Sequence, residues 1–250
     1  MTGIVLRLAG PLQSWGEHST FSERDTLRFP TRSGIVGMFA AAQGISRGHP
    51  LDWYDPLAIT VRVDRPGTLL RDFHTTGGGL PRDGTVPTAS GKRRPAGTGT
   101  VVTRRWYLSD AVFTVAAEGP DDHIRAIADA LRAPHWQLYL GRRSCPPDQP
   151  LFLRLTDGDP VADLREKVPL PKQRAGGKGH VTVEMITETP VQDAPATDVS
   201  DVPGVLGRYE RRYRTRAVYQ VPVQVPASLA LWHDAAHYHQ ALRDYARRSA

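Results

Sequence analysis

The chain has 250 residues, enough for one large domain or two small ones with a hydrophobic core. Its 32 Lys and Arg against 26 Asp and Glu give a net charge of +6, which favours an anionic partner without choosing among RNA, DNA and a membrane surface. The single cysteine, Cys145, excludes an internal disulfide and a thiolate-rich zinc site. No signal peptide or membrane-spanning apolar run is evident, so we expect a cytoplasmic protein with no membrane partner.

The amino-terminal region predicts a short strand over residues 4–8 and a helix over 31–44. The loop between them carries Trp15, which we expect to be exposed. Arg32 and Ser33 stand where the free N–H groups and the positive dipole end of the helix could hold a phosphate. Ordinary helix capping with tight packing against a sheet explains the same residues.

A long segment over residues 71–107 is too rich in glycine and proline for a helix or a packed core. Aromatic residues stand at its base, and a loop of this length is typically functional or disordered. We predict an arm that grips nucleic acid, with a solvated disordered insertion as an equal alternative. Its basic residues are Arg71, Arg82, Lys92, Arg93, Arg94, Arg104 and Arg105.

The order of predicted elements up to residue 157 is β-α-β-β-α-β, which indicates an α+β, ferredoxin-like (RRM-like) domain. The strand at 68–75 is expected to pair back on the strand at 57–64 and to run into the arm. The predicted divisions are a domain over 1–157 with a long β-hairpin arm over 74–107, a small β-rich region over 158–225, and a carboxy-terminal helical extension over 226–250.

The carboxy-terminal third offers weaker signals. In the strand RRYRTRAVYQ, Arg212, Arg214 and Arg216 fall on one face, about 6.6 Å apart, a spacing that suits a phosphate chain. The solvent face of an edge strand is nearly as good an explanation. His233 and His237 have the spacing of a helical zinc site, but no third ligand is identifiable, so we predict surface histidines and no metal or cofactor.

Four blocks, LRLAGPLQSWG, RFPTRSGIVGMFAAAQG, LRDFHT and YLGRRSCP, lie in order within residues 4–155. Together they resemble the CasD subunits of type I-E CRISPR Cascade, members of the RAMP superfamily. The resemblance implies a non-catalytic subunit that holds the repeat-derived 5′ handle of the CRISPR RNA. It also implies a thumb-like arm, contacts with a Cascade backbone subunit and the large subunit, and target DNA met only through the complex.

The resemblance carries several residues over to the RNA, and the strand RRYRTRAVYQ matches only weakly. Lys92, Arg93 and Arg94 are assigned to RNA by charge alone, and Trp136 is expected in the core. The positions expected near the RNA are Trp15, Arg32, Ser33, His74, Tyr139, Gly141, Arg142 and Arg143.

Two other functions compete with RNA binding inside Cascade. A metal-free endoribonuclease that processes precursor CRISPR RNA could use His74, beside Arg71, as its base. LRDFHT lacks the adjacent Lys-His pair expected of cutting relatives, and no suitably placed tyrosine is evident. The second alternative is a free-standing RNA-binding regulator unconnected with CRISPR, and the four matched blocks argue against it.

Overall fold

A computed structural model describes residues 2–18, 22–88, 90–97, 99–171, 179–206, 211–231 and 235–247. The helices are α1 (Arg32–Ala42), α2 (Asp121–Arg132), α3 (Pro160–Glu166) and α4 (Ala235–Arg247). The strands are β1 (Gly3–Ala9), β2 (Leu12–Gln13), β3 (Glu23–Arg24), β4 (Ala58–Arg65), β5 (Thr68–Thr76), β6 (Val101–Ser109), β7 (Val112–Glu118), β8 (Phe152–Thr156), β9 (His180–Thr187), β10 (Ala196–Leu206) and β11 (Arg211–Pro226).

The main sheet has seven strands in the order β10-β11-β9-β4-β7-β1-β8, and neighbouring strands are antiparallel. The predicted α+β class is therefore confirmed. Strands β9, β10 and β11 join this sheet through the pairing of β9 with β4. The predicted division at residue 157 is thus not a boundary between two sheets.

One face of the sheet packs on α1 and α2. Successive side chains of the central strands point to opposite faces, so every second residue faces these helices. Leu6, Val61 and Val115 point to this side and are buried with Ile35 and Ile127 from the two helices. Helix α2 buries the apolar positions that its sequence spaces at i, i+3, i+4 and i+7, as predicted. This face forms the larger hydrophobic core.

The other face is polar at its centre and is also covered. Arg62 is 0 % exposed, and its Nε donates to Asp64 Oδ1 at 2.6 Å. Its remaining N–H groups donate to the backbone carbonyls of Leu164, Val168 and Pro169, next to α3. Because the charges of Arg62 and Asp64 are paired and hydrogen-bonded, their burial is tolerated. Unlike the RNA-binding sheet of an RRM, this face is closed.

Helix α4 completes that closure. Tyr238, Leu242 and Tyr245 are buried in a second core cluster with residues of β1, β7, β8 and α3. Tyr245 donates its hydroxyl hydrogen to Asp163 Oδ2 at 2.7 Å, and Arg7 Nε donates to the Tyr238 hydroxyl at 3.1 Å. The predicted helical extension is therefore part of the folded core.

The predicted histidine pair cannot be followed, because His233 lies outside the described residues. Within the described ranges there is no cluster of three or more potential metal ligands. Among the described helices, none combines the length and the apolar character needed to cross a membrane.

A second sheet carries the arm. Strand β5 pairs with β6 over its whole length, from Thr68 opposite Ser109 to Thr76 opposite Val101. The expectation that residues 68–75 pair with β4 is wrong. Both edges of β4 are already taken, by β7 and by β9, so β5 leaves the main sheet. Short strands β2 and β3 join β6 near its base.

The arm tip, residues 77–100, contains more local structure than its composition predicts. Thr85 is fully buried, and its hydroxyl lies 2.7 and 3.1 Å from the carbonyl oxygens of Arg82 and Arg94. The guanidinium of Arg93 donates to the Thr85 carbonyl at 2.6 Å. A 3₁₀ turn over Arg82–Gly84 also contradicts the expectation of a segment without helix or packing.

Replacing Leu242 by Ala tests whether α4 belongs to the core. Leu242 is 1 % exposed, so we expect the free energy of unfolding to fall by about 2–5 kcal/mol in urea titrations. Arg247→Ala, at an exposed position of the same helix, should change it by less than about 0.5 kcal/mol. Equal stability of the two variants would show that α4 is a detachable addition.

Candidate nucleic-acid interface

A cleft of ≈ 1210 Å³ opens between α1, the loop after β1, the base of β6, the 136–143 segment and the start of β11. Among the residues that the structure describes, its lining contains one carboxylate, Glu17, against six arginines. The arginines that line it are Arg24, Arg47, Arg105, Arg142, Arg143 and Arg211. The aromatic side chains among the lining residues are Trp136, Tyr139 and Tyr213, with His18 and His49 beside them.

Arg24 lies where several of these cations repel one another. Burial lowers the pKa of the Arg24 guanidinium, and the charges of Arg105, Arg142 and Arg211 lower it further. Four guanidinium groups from four separate segments therefore act on one small volume. An anion placed among them would relieve the repulsion, which makes the cleft a candidate phosphate site.

Arg142 is fixed in place by the backbone around it. Its Nη1 donates to the Trp106 carbonyl at 3.1 Å, and its Nη2 to the carbonyls of Arg24 and Asp25 at 3.1 and 3.3 Å. Its guanidinium also lies over the Tyr107 ring, 4.7 Å from the centroid. Arg142 therefore contributes charge to the cleft, while three of its N–H groups already have partners. Arg143, its neighbour, is exposed in the same cleft.

Gly141, expected near the RNA, makes its close contact with protein instead. Its φ is +84°, and a Cβ at this position would overlap the carbonyl oxygen of Ser14. Its N–H donates to the Tyr139 carbonyl at 3.1 Å, so it is not free for a ligand. The glycine seats the 138–145 segment against the loop after β1, and this brings Tyr139 into the cleft wall.

Trp15 and Trp136 exchange their predicted places. Trp15 is 0 % exposed, and its indole N–H donates to Gln13 Oε1 at 3.0 Å. Its ring fills the space that Gly34 leaves, where a Cβ would come within 2.7 Å of it. The expectation of an exposed Trp15 near RNA is wrong. Trp136, expected in the core, is 41 % exposed and lines the cleft.

The start of α1 is already occupied by a carboxylate. The backbone N–H of Arg32 donates to Asp201 Oδ2 at 2.6 Å, and its guanidinium pairs with Glu188 at 2.7 Å. Arg32 is 3 % exposed, so the predicted phosphate contact at this residue is wrong. Ser33, one residue on, is half-buried and does line the cleft.

The arginine face of β11 points away from the cleft. Arg214 makes two contacts with the Asp55 carboxylate, at 2.6 and 2.7 Å, and Arg216 pairs with Asp201 at 2.6 Å. The alternation of arginines along the strand is as predicted, but its partners are acids of this chain. Arg212, with the same parity, is exposed and does not line the cleft. Arg211 and Tyr213, from the opposite face, do.

The remaining predicted residues lie on the arm. Arg71 stacks over Trp106 at 5.6 Å, and His74 Nδ1 lies 3.6 Å from Asp72 Oδ2. Arg104 pairs with Glu23 at 3.3 Å. The structure thus separates two groups. The cleft group is Ser33, Arg105, Tyr139, Gly141, Arg142 and Arg143, and the arm group is Arg71, His74, Lys92, Arg93, Arg94 and Arg104.

Four cleft residues were missed by sequence reasoning: Arg24, Arg47, Arg211 and Tyr213. Arg47 stands in Ser-Arg-Gly-His directly after α1, and Arg24 in the polar loop before it. In the sequence both are isolated basic residues outside the predicted elements and carry no pattern of their own, although the structure places Arg24 in β3. Only the packing of distant segments brings them together.

Comparison with known proteins identifies the family. The sequence profile described as CRISPR-associated protein (Cas_Cas5) matches residues 3–235. The chain belongs to the Cas5 family. The resemblance to CasD drawn from four short blocks is thereby confirmed.

One relative and two solved structures show how far the similarity extends. The CRISPR system Cascade subunit CasD of Escherichia coli (strain K12) is 37 % identical over an alignment of 164 residues, and the match covers 60 % of this chain and 69 % of that protein. A chain of a CRISPR RNA-guided surveillance complex is 53 % identical, covers 98 % of this chain and 100 % of its own length, and has a TM-score of 0.88. A crystal structure of a Cas protein is 28 % identical, with coverage of 91 % and 97 % and a TM-score of 0.60.

Gly141→Ala tests the seat beneath the cleft, with Gly97→Ala as its control. Both glycines have positive φ, but at Gly97 a Cβ would meet nothing within 4 Å. The control should lose about 1–2 kcal/mol of unfolding free energy from backbone strain alone. Gly141→Ala should lose about 1–3 kcal/mol more, because the Ser14 carbonyl must move. Thermal unfolding measures both, and equal losses would mean that the loop adapts without cost.

Proposed function

We propose that this chain is a subunit of a CRISPR RNA-guided surveillance complex and that its cleft holds the single-stranded 5′ handle of the CRISPR RNA. Membership of the Cas5 family and the 53 % identity to a chain of such a complex support the first part. One observation carries the second. Arginines from separate segments meet in one cleft with exposed aromatic rings, which is the combination that single-stranded RNA requires.

The cleft offers side chains for both parts of a nucleotide, its phosphate and its base. Arg24, Arg105 and Arg143 supply charge for phosphates, which guanidinium groups bind through paired hydrogen bonds. Trp136 and Tyr213, 41 % and 37 % exposed, offer ring faces on which bases can stack. Each stacked base contributes about 1–3 kcal/mol in comparable proteins.

The fold around the cleft supports a place in the RAMP superfamily. The strand order β8-β1-β7-β4, with antiparallel neighbours, is the order of a ferredoxin-like sheet. Helices α3 and α4 cover the sheet face that an RRM uses to bind RNA. In this chain the cleft beside α1 is therefore the surface that we assign to RNA.

The arm suits a contact with the neighbouring backbone subunit and the RNA that runs past it. Phe73 and Val102 are 67 % and 45 % exposed on one side of the ribbon, and Arg71 and Arg104 flank them. Apolar side chains this exposed on a two-stranded ribbon favour burial against a partner. Contact with the large subunit, and with target DNA through the assembled complex, follows from the same proposal.

A binding role without RNA cleavage fits the surroundings of His74. Metal-free cleavage needs a base, a proton donor and cations around the developing charge. The imidazole of His74 has the Asp72 carboxylate beside it, and the nearby Arg104 is paired with Glu23. Of the three requirements, these contacts supply only a candidate base, with neither a proton donor nor an unpaired cation among them.

Arg143→Ala tests the cleft as the RNA site. We expect weaker binding of a 5′-handle RNA by the full chain and a salt slope lower by about 0.7, because one fewer phosphate is neutralised on a single strand. Arg125→Ala, at an exposed arginine of α2 paired with Asp157, removes the same charge elsewhere. If the two variants bind alike across salt concentrations, the cleft is not the RNA site.

The absence of cleavage is checked directly. Labelled precursor repeat RNA is incubated with the protein in the presence of a chelator, and the products are separated on a gel. We expect intact RNA with the wild type and with His74→Ala, since His74 has no role in bond breaking. Specific cleavage by the wild type that disappears in His74→Ala would make the protein a metal-free endoribonuclease.

A further inference from the structure

A β-bulge interrupts the pairing of β10 with β11. Val199 is opposite Arg216 and Val202 is opposite Arg214, so three steps along β10 match two steps along β11. Two residues of β10, Ser200 and Asp201, therefore stand opposite the single residue Thr215 of β11. A bulge of this kind removes a residue from the hydrogen-bond ladder and turns its side chain in a new direction.

The bulge is tied to two other walls of the cleft. The backbone N–H of Ser200 donates to Glu17 Oε1 at 2.7 Å, and Glu17 lines the cleft. Asp201, 1 % exposed, accepts from the backbone N–H of Arg32 at 2.6 Å. Arg32 is flanked by Thr31 and Ser33, both of which line the cleft.

The same carboxylate holds β11. Arg216 donates to Asp201 from Nε at 2.6 Å and from Nη2 at 2.8 Å, and its Nη1 contacts Glu188 at 3.1 Å. Glu188 in turn pairs with the guanidinium of Arg32. Two arginines and two carboxylates therefore form a charge-balanced group that joins β11 to the start of α1.

We propose that Asp201 is a positioning residue for the RNA cleft, and this inference rests on the proposed RNA-binding function. By fixing Arg216 it fixes the strand whose first residues, Arg211 and Tyr213, form one wall of the cleft. Arg216 and Arg211 are five residues apart, about 16 Å along an extended strand, so a small rotation at the bulge shifts that wall considerably.

Asp201→Asn separates positioning from simple electrostatics, because the two give effects of opposite sign. Removing a negative charge near a cationic cleft should strengthen RNA binding and steepen its salt dependence if only charge matters. If Asp201 positions the wall, the handle RNA should bind about tenfold more weakly, as for residues coupled in one hydrogen-bond network, and with a shallower salt slope. Asp198→Asn, at an exposed position of β10, makes the same change in charge as the control.

Arg216→Lys provides a second variant that keeps the net charge constant. Lysine cannot make the two-point contact of the guanidinium with Asp201, so the strand is held less firmly. We expect several-fold weaker binding and a shallower salt slope, with a cooperative thermal unfolding transition to show that the chain is folded. Wild-type affinity in this variant would overturn the positioning role.

A double-mutant cycle decides whether Asp201 acts through the wall. In a chain that carries Arg211→Ala and Tyr213→Ala, the further change Asp201→Asn should have little effect on RNA affinity. An undiminished effect there, or equal binding by Asp201→Asn and Asp198→Asn, overturns the inference. If instead Arg143→Ala and Arg211→Ala both bind RNA as the wild type does, the proposed RNA site itself is wrong and the inference falls with it.

Discussion

The buried ion pair of Arg62 with Asp64 requires one face of the main sheet to be covered, and the rest of the structure depends on this constraint. Both groups are buried at the centre of the face of the main sheet that α3 and α4 cover. Three backbone carbonyls beside α3 complete the hydrogen bonding of Arg62. A pair this deeply buried needs its cover, because exposing or removing one partner leaves the other charge uncompensated. Helices α3 and α4 supply the cover, and the sheet is thereby lost as a binding surface. The proposed RNA site is therefore the cleft beside α1.

The arginines of this chain fall into two kinds, and their neighbours distinguish them. Arg32 and Arg216 meet Glu188 and Asp201 and serve the fold. Arg24 lies among other arginines, whose charges lower the pKa of its guanidinium, so an anion bound beside it would be favoured. A guanidinium surrounded by other guanidinium groups destabilises the fold unless a bound anion offsets the repulsion. The positive cleft is therefore better evidence for a partner than the total charge of the chain.

The sequence predicted those features that depend on local pattern. Alternation identified the central strands, and the spacing of Ile124, Ile127 and Leu131 identified the buried face of α2. The glycine loop at Gly141 was located by sequence, though its close neighbour is Ser14 rather than RNA. Contacts between segments that are distant in the sequence could not be predicted from local patterns. Trp15 is buried because Gly34 leaves room for its ring, and no local pattern records that contact.

The same reason explains the errors in the arm and in β11. Whether β5 pairs with β4 depends on β9, which lies more than a hundred residues later and takes the free edge. Alternation along β11 gave the two faces correctly, but which of them meets acids depends on Asp55 and Asp201 in other elements. Patterns in sequence assign residues to a face, whereas the identity of that face's neighbours comes from topology.

If the proposed function holds, strand β6 links assembly to RNA affinity. Arg105 near its middle lines the cleft, while Val102, three residues earlier, is exposed on the arm. The strand is hydrogen-bonded to β5 along its length and to β3 beside Arg104 and Arg105, so its two ends do not move independently. A neighbour that grips the arm restricts Arg105 as well, and RNA in the cleft restricts the arm. Docking and RNA capture are thus expected to be cooperative, each lowering the entropy that the other must remove.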